Sequence, residues 1–76
     1  TTARAHKFNW LSELRDNDRV KVKIRYQHSG AWARIRRLEN DEAEIEFEEP
    51  QRAVTPGQAA VVYRESHLVG GGWIIS

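Results

Sequence analysis

Between residues 20 and 26 the chain reads Val20, Lys21, Val22, Lys23, Ile24, Arg25, Tyr26, with an apolar side chain at every second position and a cation at each position between them. Successive side chains on a strand point to opposite faces, so period two marks a half-buried strand, whereas a helix would scatter the same residues around its circumference. Residues 42–48 repeat the pattern with the opposite sign: Ala43, Ile45 and Phe47 share one face, and Glu42, Glu44, Glu46 and Glu48 share the other. Between these runs, residues 31–38 put Ala33 and Ile35 on one face and Trp32, Arg34 and Arg36 on the other, then reach the turn formers Asn40 and Asp41. Three such strands pairing in order would set Arg34 and Arg36 opposite the glutamates across the ladder.

Three further strands are expected. Residues 59–63 (Ala59, Ala60, Val61, Val62, Tyr63) are short and apolar, and residues 68–75 read as a strand interrupted by Gly70, Gly71 and Gly72, with Glu65 and Ser66 in the hairpin between. Residues 5–11, carrying Phe8 and Trp10, form a first strand, followed by a polar loop through Asp16, Asn17 and Asp18. The expected fold is all-β, a small six-stranded antiparallel barrel, because closure removes the exposed edges that invite aggregation. At 76 residues the chain makes one domain, 1–76, and a domain of this size buries only about 60% of its unfolded surface.

Several function classes fall away. With no cysteine, the chain has neither disulfide nor thiolate nor Cys-based zinc chemistry, which points to a reducing, cytoplasmic setting. No stretch approaches the roughly 20 apolar residues that span a bilayer, so a soluble protein without a membrane partner is expected. Thr1 rather than Met stands first, which suggests a fragment, a processed chain or a trimmed one. His6, His28 and His67 lack the spacing of a metal set, the glutamates of residues 42–49 alternate onto a solvated face, and no serine sits beside a base. Neither a catalytic group nor a metal site is expected in the chain. A formal charge of +1 is far from that of a dedicated nucleic-acid binder, so any contact with RNA must be local.

Three features suggest local function. Gly70-Gly71-Gly72 lacks the lysine and hydroxyl of a phosphate-binding loop, and barrel curvature, a bulge or close packing accounts for it better. In Thr55-Pro56-Gly57-Gln58, proline suits the second position of a type II turn and glycine the third. The turn delivers Gln58, whose amide can donate to and accept from a base edge or ribose, although plain hairpin closure explains the turn as well. Arg25 and Tyr26 join a phosphate-binding guanidinium to a stacking ring, and both could touch one ligand only at a barrel rim.

Taken together, Lys23-Ile24-Arg25-Tyr26, the run from Phe47 through Pro50-Gln51-Arg52-Ala53-Val54-Thr55-Pro56-Gly57-Gln58 to Tyr63, and Gly70-Gly71-Gly72 resemble the C-terminal domain of bacterial tRNA 2-thiouridylases. Phe8-Asn9-Trp10-Leu11 resembles the family's opening strand, so the likeness covers nearly the whole chain; Trp73 departs from it, standing where the family more often has a small aliphatic residue. The resemblance implies a parent enzyme that activates uridine-34 of certain tRNAs with ATP and replaces its 2-oxygen by sulfur passed through a cysteine persulfide. Older names call this family a tRNA methyltransferase. It also implies that the ATP site, the working cysteines and the encounter with a sulfur-carrier protein belong to other domains, leaving this piece without cofactor and inert by itself. The barrel would help to hold tRNA near the anticodon through Arg25, Tyr26 and Gln58, with Arg52 a weaker phosphate contact. The competing expectation is a structural barrel that packs on the parent's catalytic and central domains or on a protein partner, through an apolar patch around Trp32 or Trp73. An unrelated small translation-factor-like barrel would share the fold class but would leave the match over residues 50–63 unexplained.

Overall fold

A computed structural model describes residues 2–13, 15, 18–24, 30–51 and 54–76. The expected positions Arg25, Tyr26 and Arg52 lie outside these residues. Six strands follow in chain order: β1 (Thr2–Trp10), β2 (Asp18–Ile24), β3 (Ala31–Arg37), β4 (Ala43–Phe47), β5 (Ala59–Arg64) and β6 (His67–Ile74). They close into an antiparallel barrel in the order β1-β4-β3-β2-β5-β6, the fold class that the alternation predicts.

Strands β2 to β5 each feed the interior from one parity. Val20, Val22 and Ile24 of β2, Ala33 and Ile35 of β3, Ala43, Ile45 and Phe47 of β4, and Ala60 and Val62 of β5 are buried, and no polar or charged residue is buried among those described. The meander pairs as its charges suggest, with Arg34 opposite Glu46 and Arg36 opposite Glu44. Arg36 Nη2 lies 3.0 Å from Glu44 Oε1. Asn40 and Asp41 turn this hairpin with φ of 59° and 57°, a pair of left-handed residues that matches the twist of the flanking strands.

Two features differ from the sequence expectation in ways that matter for the site. β1 starts at Thr2, not Ala5, because β4 recruits its first residues from Thr2 opposite Glu46 to Ala5 opposite Ala43. Alanine carries little strand preference, so the inward pair Ala3 and Ala5 gives a weak local signal. A bulge between His6 and Asn9 then shifts the parity of β1 against β6, with Lys7 at φ 50°. This brings Phe8 inward three residues after Ala5, a spacing that unbroken alternation forbids.

The second correction concerns the Thr55–Gln58 turn. It closes no hairpin: β4 pairs with β1 and β3, whereas β5 pairs with β2 and β6. The connection from β4 to β5 instead crosses one end of the barrel, and Val54 within it packs against the core.

The glycine run makes the β1–β6 seam possible. A Cβ on Gly72 would stand 2.7 Å from Phe8 Cδ2 and 2.8 Å from the His6 carbonyl oxygen, and one on Gly70 would stand 2.5 Å from the Asn9 carbonyl oxygen. The Phe8 ring lies where those side chains would be. Gly57 differs: its φ is +90° and no atom lies within 4 Å of its missing Cβ. Gly72→Ala should therefore destabilise the barrel by about 1–3 kcal/mol through steric overlap, and Gly57→Ala by about 1 kcal/mol through backbone conformation alone. Urea unfolding of both variants measures the difference, and equal losses would contradict the packing role given to Gly72.

Candidate nucleic-acid interface

Antiparallel closure gathers the ends of β2, β4 and β6 and the starts of β1, β3 and β5 on one rim. Ile24, the last residue of β2, pairs with Ala60, and Gln58 precedes β5 by one residue. Gly30, which leads into β3, has φ +74°. Arg25 and Tyr26 fall between Ile24 and Gly30, and Arg52 between Gln51 and Val54, so the residues that bound these positions belong to the same end of the barrel as Gln58. Of the residues singled out for RNA contact, Gln58 is the one described.

The local sequence fixes Gln58 tightly. Gly57 takes the positive φ that the Pro-Gly pair predicts. The Gln58 amide N–H donates to the Thr55 carbonyl at 3.4 Å, the Gly57 N–H donates to the Ile74 carbonyl at 2.8 Å, and the Ile74 N–H donates to the Gln58 carbonyl at 2.8 Å. The side chain folds back, so that its Oε1 accepts from the Thr55 N–H at 2.9 Å. That bond engages the acceptor end and leaves the Nε2 group to donate elsewhere. The sequence suggests both a donor and an acceptor at this position; the structure commits one of the acceptor's lone pairs to the turn and orients the residue as a donor.

Beside this rim, the outer wall between β2 and β3 carries a cluster that the sequence reading does not assemble. Arg19 stacks its guanidinium 3.9 Å from the centre of the Trp32 ring. The same guanidinium donates to Glu48 from Nε at 2.6 Å and from Nη2 at 3.1 Å. Lys21 Nζ lies 5.2 Å from the Trp32 ring centre, and Lys23 Nζ lies 5.2 Å from that of Tyr63. The signal was present in the sequence as shared outward parity, but cross-strand register is needed to bring Lys21 opposite both Trp32 and Tyr63. Arg19 lies over one face of the ring, while Trp32 stays 41% exposed.

Donation from Arg19 is the main reason that the Glu48 carboxyl is held below the usual carboxylate range; slight burial opposes the shift, and the nearby charges of Arg19 and Arg34 assist it. The same bond pushes the Arg19 guanidinium further above its ordinary value. At the opposite rim, Asp18 accepts from the Arg15 N–H at 2.9 Å and lies 3.7 Å from Arg64 Nη1, ties that anchor the start of β2. Among the described residues no three His, Cys, Asp or Glu side chains gather as a metal site. No helix there is long and apolar enough to cross a membrane.

The profile of the aminomethyltransferase β-barrel domain family matches residues 1–74. Among curated proteins, the chain is 51% identical over 80 residues to the tRNA-specific 2-thiouridylase MnmA of Acidobacterium capsulatum, covering 97% of this chain and 21% of that protein. It is 51% identical over 73 residues to the enzyme of the same name from Koribacter versatilis, covering 93% and 20%. Against that of Acidithiobacillus ferrooxidans it is 50% identical over 68 residues, covering 87% and 19%. The chain thus spans about a fifth of the length of the curated relatives it matches.

The Arg19–Glu48 contact has a pH signature. A carboxyl whose value is lowered on folding contributes from above its unfolded value, and that contribution is lost as pH falls through the lowered folded one. Trp32 fluorescence and the Glu48 carboxyl NMR shift should hold steady through the ordinary carboxylate range and change only in more acid solution. Glu48→Gln should abolish that transition; a Glu48 titration at the ordinary value would show that the pair does not persist in water.

Proposed function

This chain belongs to the aminomethyltransferase β-barrel domain family, and from that premise we propose that it is the tRNA-contacting accessory domain of an enzyme that 2-thiolates uridine-34, the wobble position of tRNA. The supporting observation is the construction of one rim. A rigid Pro-Gly turn presents the Gln58 amide as a donor, and the chain ends that bound residues 25–29 sit beside it. On this reading Gln58 donates to an acceptor on a nucleotide near the anticodon, Arg25 pairs with phosphate, Tyr26 stacks or packs at the rim, and Arg52 adds a weaker phosphate contact. The names of the relatives, tRNA-specific 2-thiouridylases, support tRNA as the partner.

The barrel has no part in the chemistry under this proposal. The glycine run serves packing on this reading, since the missing side-chain positions at Gly70 and Gly72 are taken up by Phe8 and by the backbone of β1. ATP activation, the encounter with a sulfur carrier and the sulfur transfer are work for the catalytic and central domains of a longer cytoplasmic enzyme.

Each contact should contribute on the order of 1–3 kcal/mol, or about 5- to 150-fold in affinity. In full-length enzyme, Gln58→Ala and Arg25→Ala should each weaken binding of an anticodon stem-loop within that range, while Gln58→Glu should weaken it further by placing an anion beside phosphate. Isothermal titration together with thermal melting separates the effects. Lost stability with unchanged affinity would reject the RNA contact in favour of a barrel that only packs on its neighbours. For the isolated barrel, with one to three phosphates neutralised at the rim, binding should be weak and the slope of log affinity against log salt shallow, about −1 to −3.

A further inference from the structure

The formal charge of +1 conceals a sided barrel. Outward acids cluster on β4, where Glu44 and Glu46 face Arg36 and Arg34 across the ladder. No carboxylate occupies an outward position on β1, β2, β5 or β6 among the described residues. The one acid within those strands, Asp18, has the parity of inward Val20 and lies at the far rim, close to Arg64. On the acid-poor wall, register sets Lys21 between Trp32 and Tyr63, and Lys23 opposite Val61. The aromatic faces support the lysine stems and hold the ammonium groups at the surface.

Trp73 completes this wall. It is 49% exposed, stands opposite Ala59 on β5 and His6 on β1, and has Gly71 as its outward neighbour two residues earlier along β6. With Ala59 and Gly71 beside it, about half of the Trp73 surface stays open to solvent. It also adjoins the rim, because the next residue, Ile74, donates its N–H to the Gln58 carbonyl. Trp32 differs in that Arg19 already covers its ring.

We propose that the outer wall of β2, β5 and β6 is a second RNA contact surface, continuous with the Gln58 rim, in which Trp73 is the stacking platform and Lys21 and Lys23 face phosphates. The inference rests on the rim's reading as an RNA contact and extends it down the barrel. One sign of charge beside an open aromatic ring is the pairing that single-stranded nucleic acid recognises: the backbone follows the cations, and any base can lie on the ring. A protein partner of mixed surface charge would find no acids on these strands to match its own cations.

The test is the affinity of the full-length protein for a labelled anticodon stem-loop, measured by fluorescence anisotropy across a salt series. Trp73→Ala should weaken binding about tenfold and Trp73→Phe about twofold or less, since phenylalanine keeps a stacking face. The Lys21→Ala/Lys23→Ala double variant should make the salt slope shallower by about 1.5. Gln58→Ala, run in parallel, reports on the rim alone. Weakening by Gln58→Ala with no change from the Trp73 or lysine variants would overturn the wall and leave the rim standing. Weakening by the wall variants alone would support the wall and remove the rim reading. No effect from any of them would overturn both. Unchanged RNA affinity together with a lowered melting temperature in Trp73→Ala would mean that another part of the protein covers the wall, which also overturns the proposal. Circular dichroism of each variant ensures that a lost fold is not read as a lost contact.

Discussion

The barrel depends on the contact of Phe8 with Gly70 and Gly72, because this is where the sheet meets itself. Strands β1 and β6 can approach only if β6 offers no side chains at those two positions, and the space they leave is filled by one ring from β1. Phe8 also stacks at 4.4 Å and 40° against Trp10, which packs on the core from the other rim. A single aromatic residue thus joins the seam to one end of the core, and the bulge at Lys7 is the local departure that aims it inward. The β2–β3–β4 meander follows from alternation, but closure follows from this exchange of side-chain volume between two strands.

Alternation also sorts charge. Where two neighbouring strands carry opposite signs, as β3 and β4 do, their outward charges are spent on each other. β2 has one neighbour that supplies an aromatic ring and another that supplies Tyr63, so its lysines rest on π faces rather than on carboxylates. A composition close to neutrality therefore says little about whether a small barrel can hold an anion. The arrangement of strand neighbours decides it, and that is set by topology.

The sequence made the six strands, their inward faces and the Arg–Glu ladder legible because period two is written in consecutive residues such as Val20 to Ile24 and Ala43 to Phe47. It hid what depends on residues far apart. Nothing around Lys7 announces a positive φ, since the cause is a distant glycine run. The Pro-Gly turn was legible as a turn but not as the end of a crossover, because adjacency of β5 to β2 rather than β4 is a long-range choice. Gln58 was recognised as a polar group beside that turn, while the commitment of its Oε1 to Thr55 appears only with coordinates. Trp73 was legible as a departure from the family's usual small residue and as a candidate apolar patch, while its setting among Ala59, His6 and Gly71 needed the register of three strands.

The seam between the first and last strands also orders events in time. The Arg4 N–H donates to the Ser76 carbonyl and the Ile75 N–H to that of Arg4, so β1 waits for almost all of the chain before it gains its second neighbour. Closing so long a loop costs only slightly more entropy than closing one of half the length, but contacts of this separation slow folding and cannot form while β6 is still being synthesised. Ile74 holds Gln58 in place, and Trp73 lies on the same strand. A nascent chain that has already made β1 to β5 therefore holds most of the core residues, and the bond that fixes Gln58 and the seam that seats Phe8 arrive together when β6 emerges.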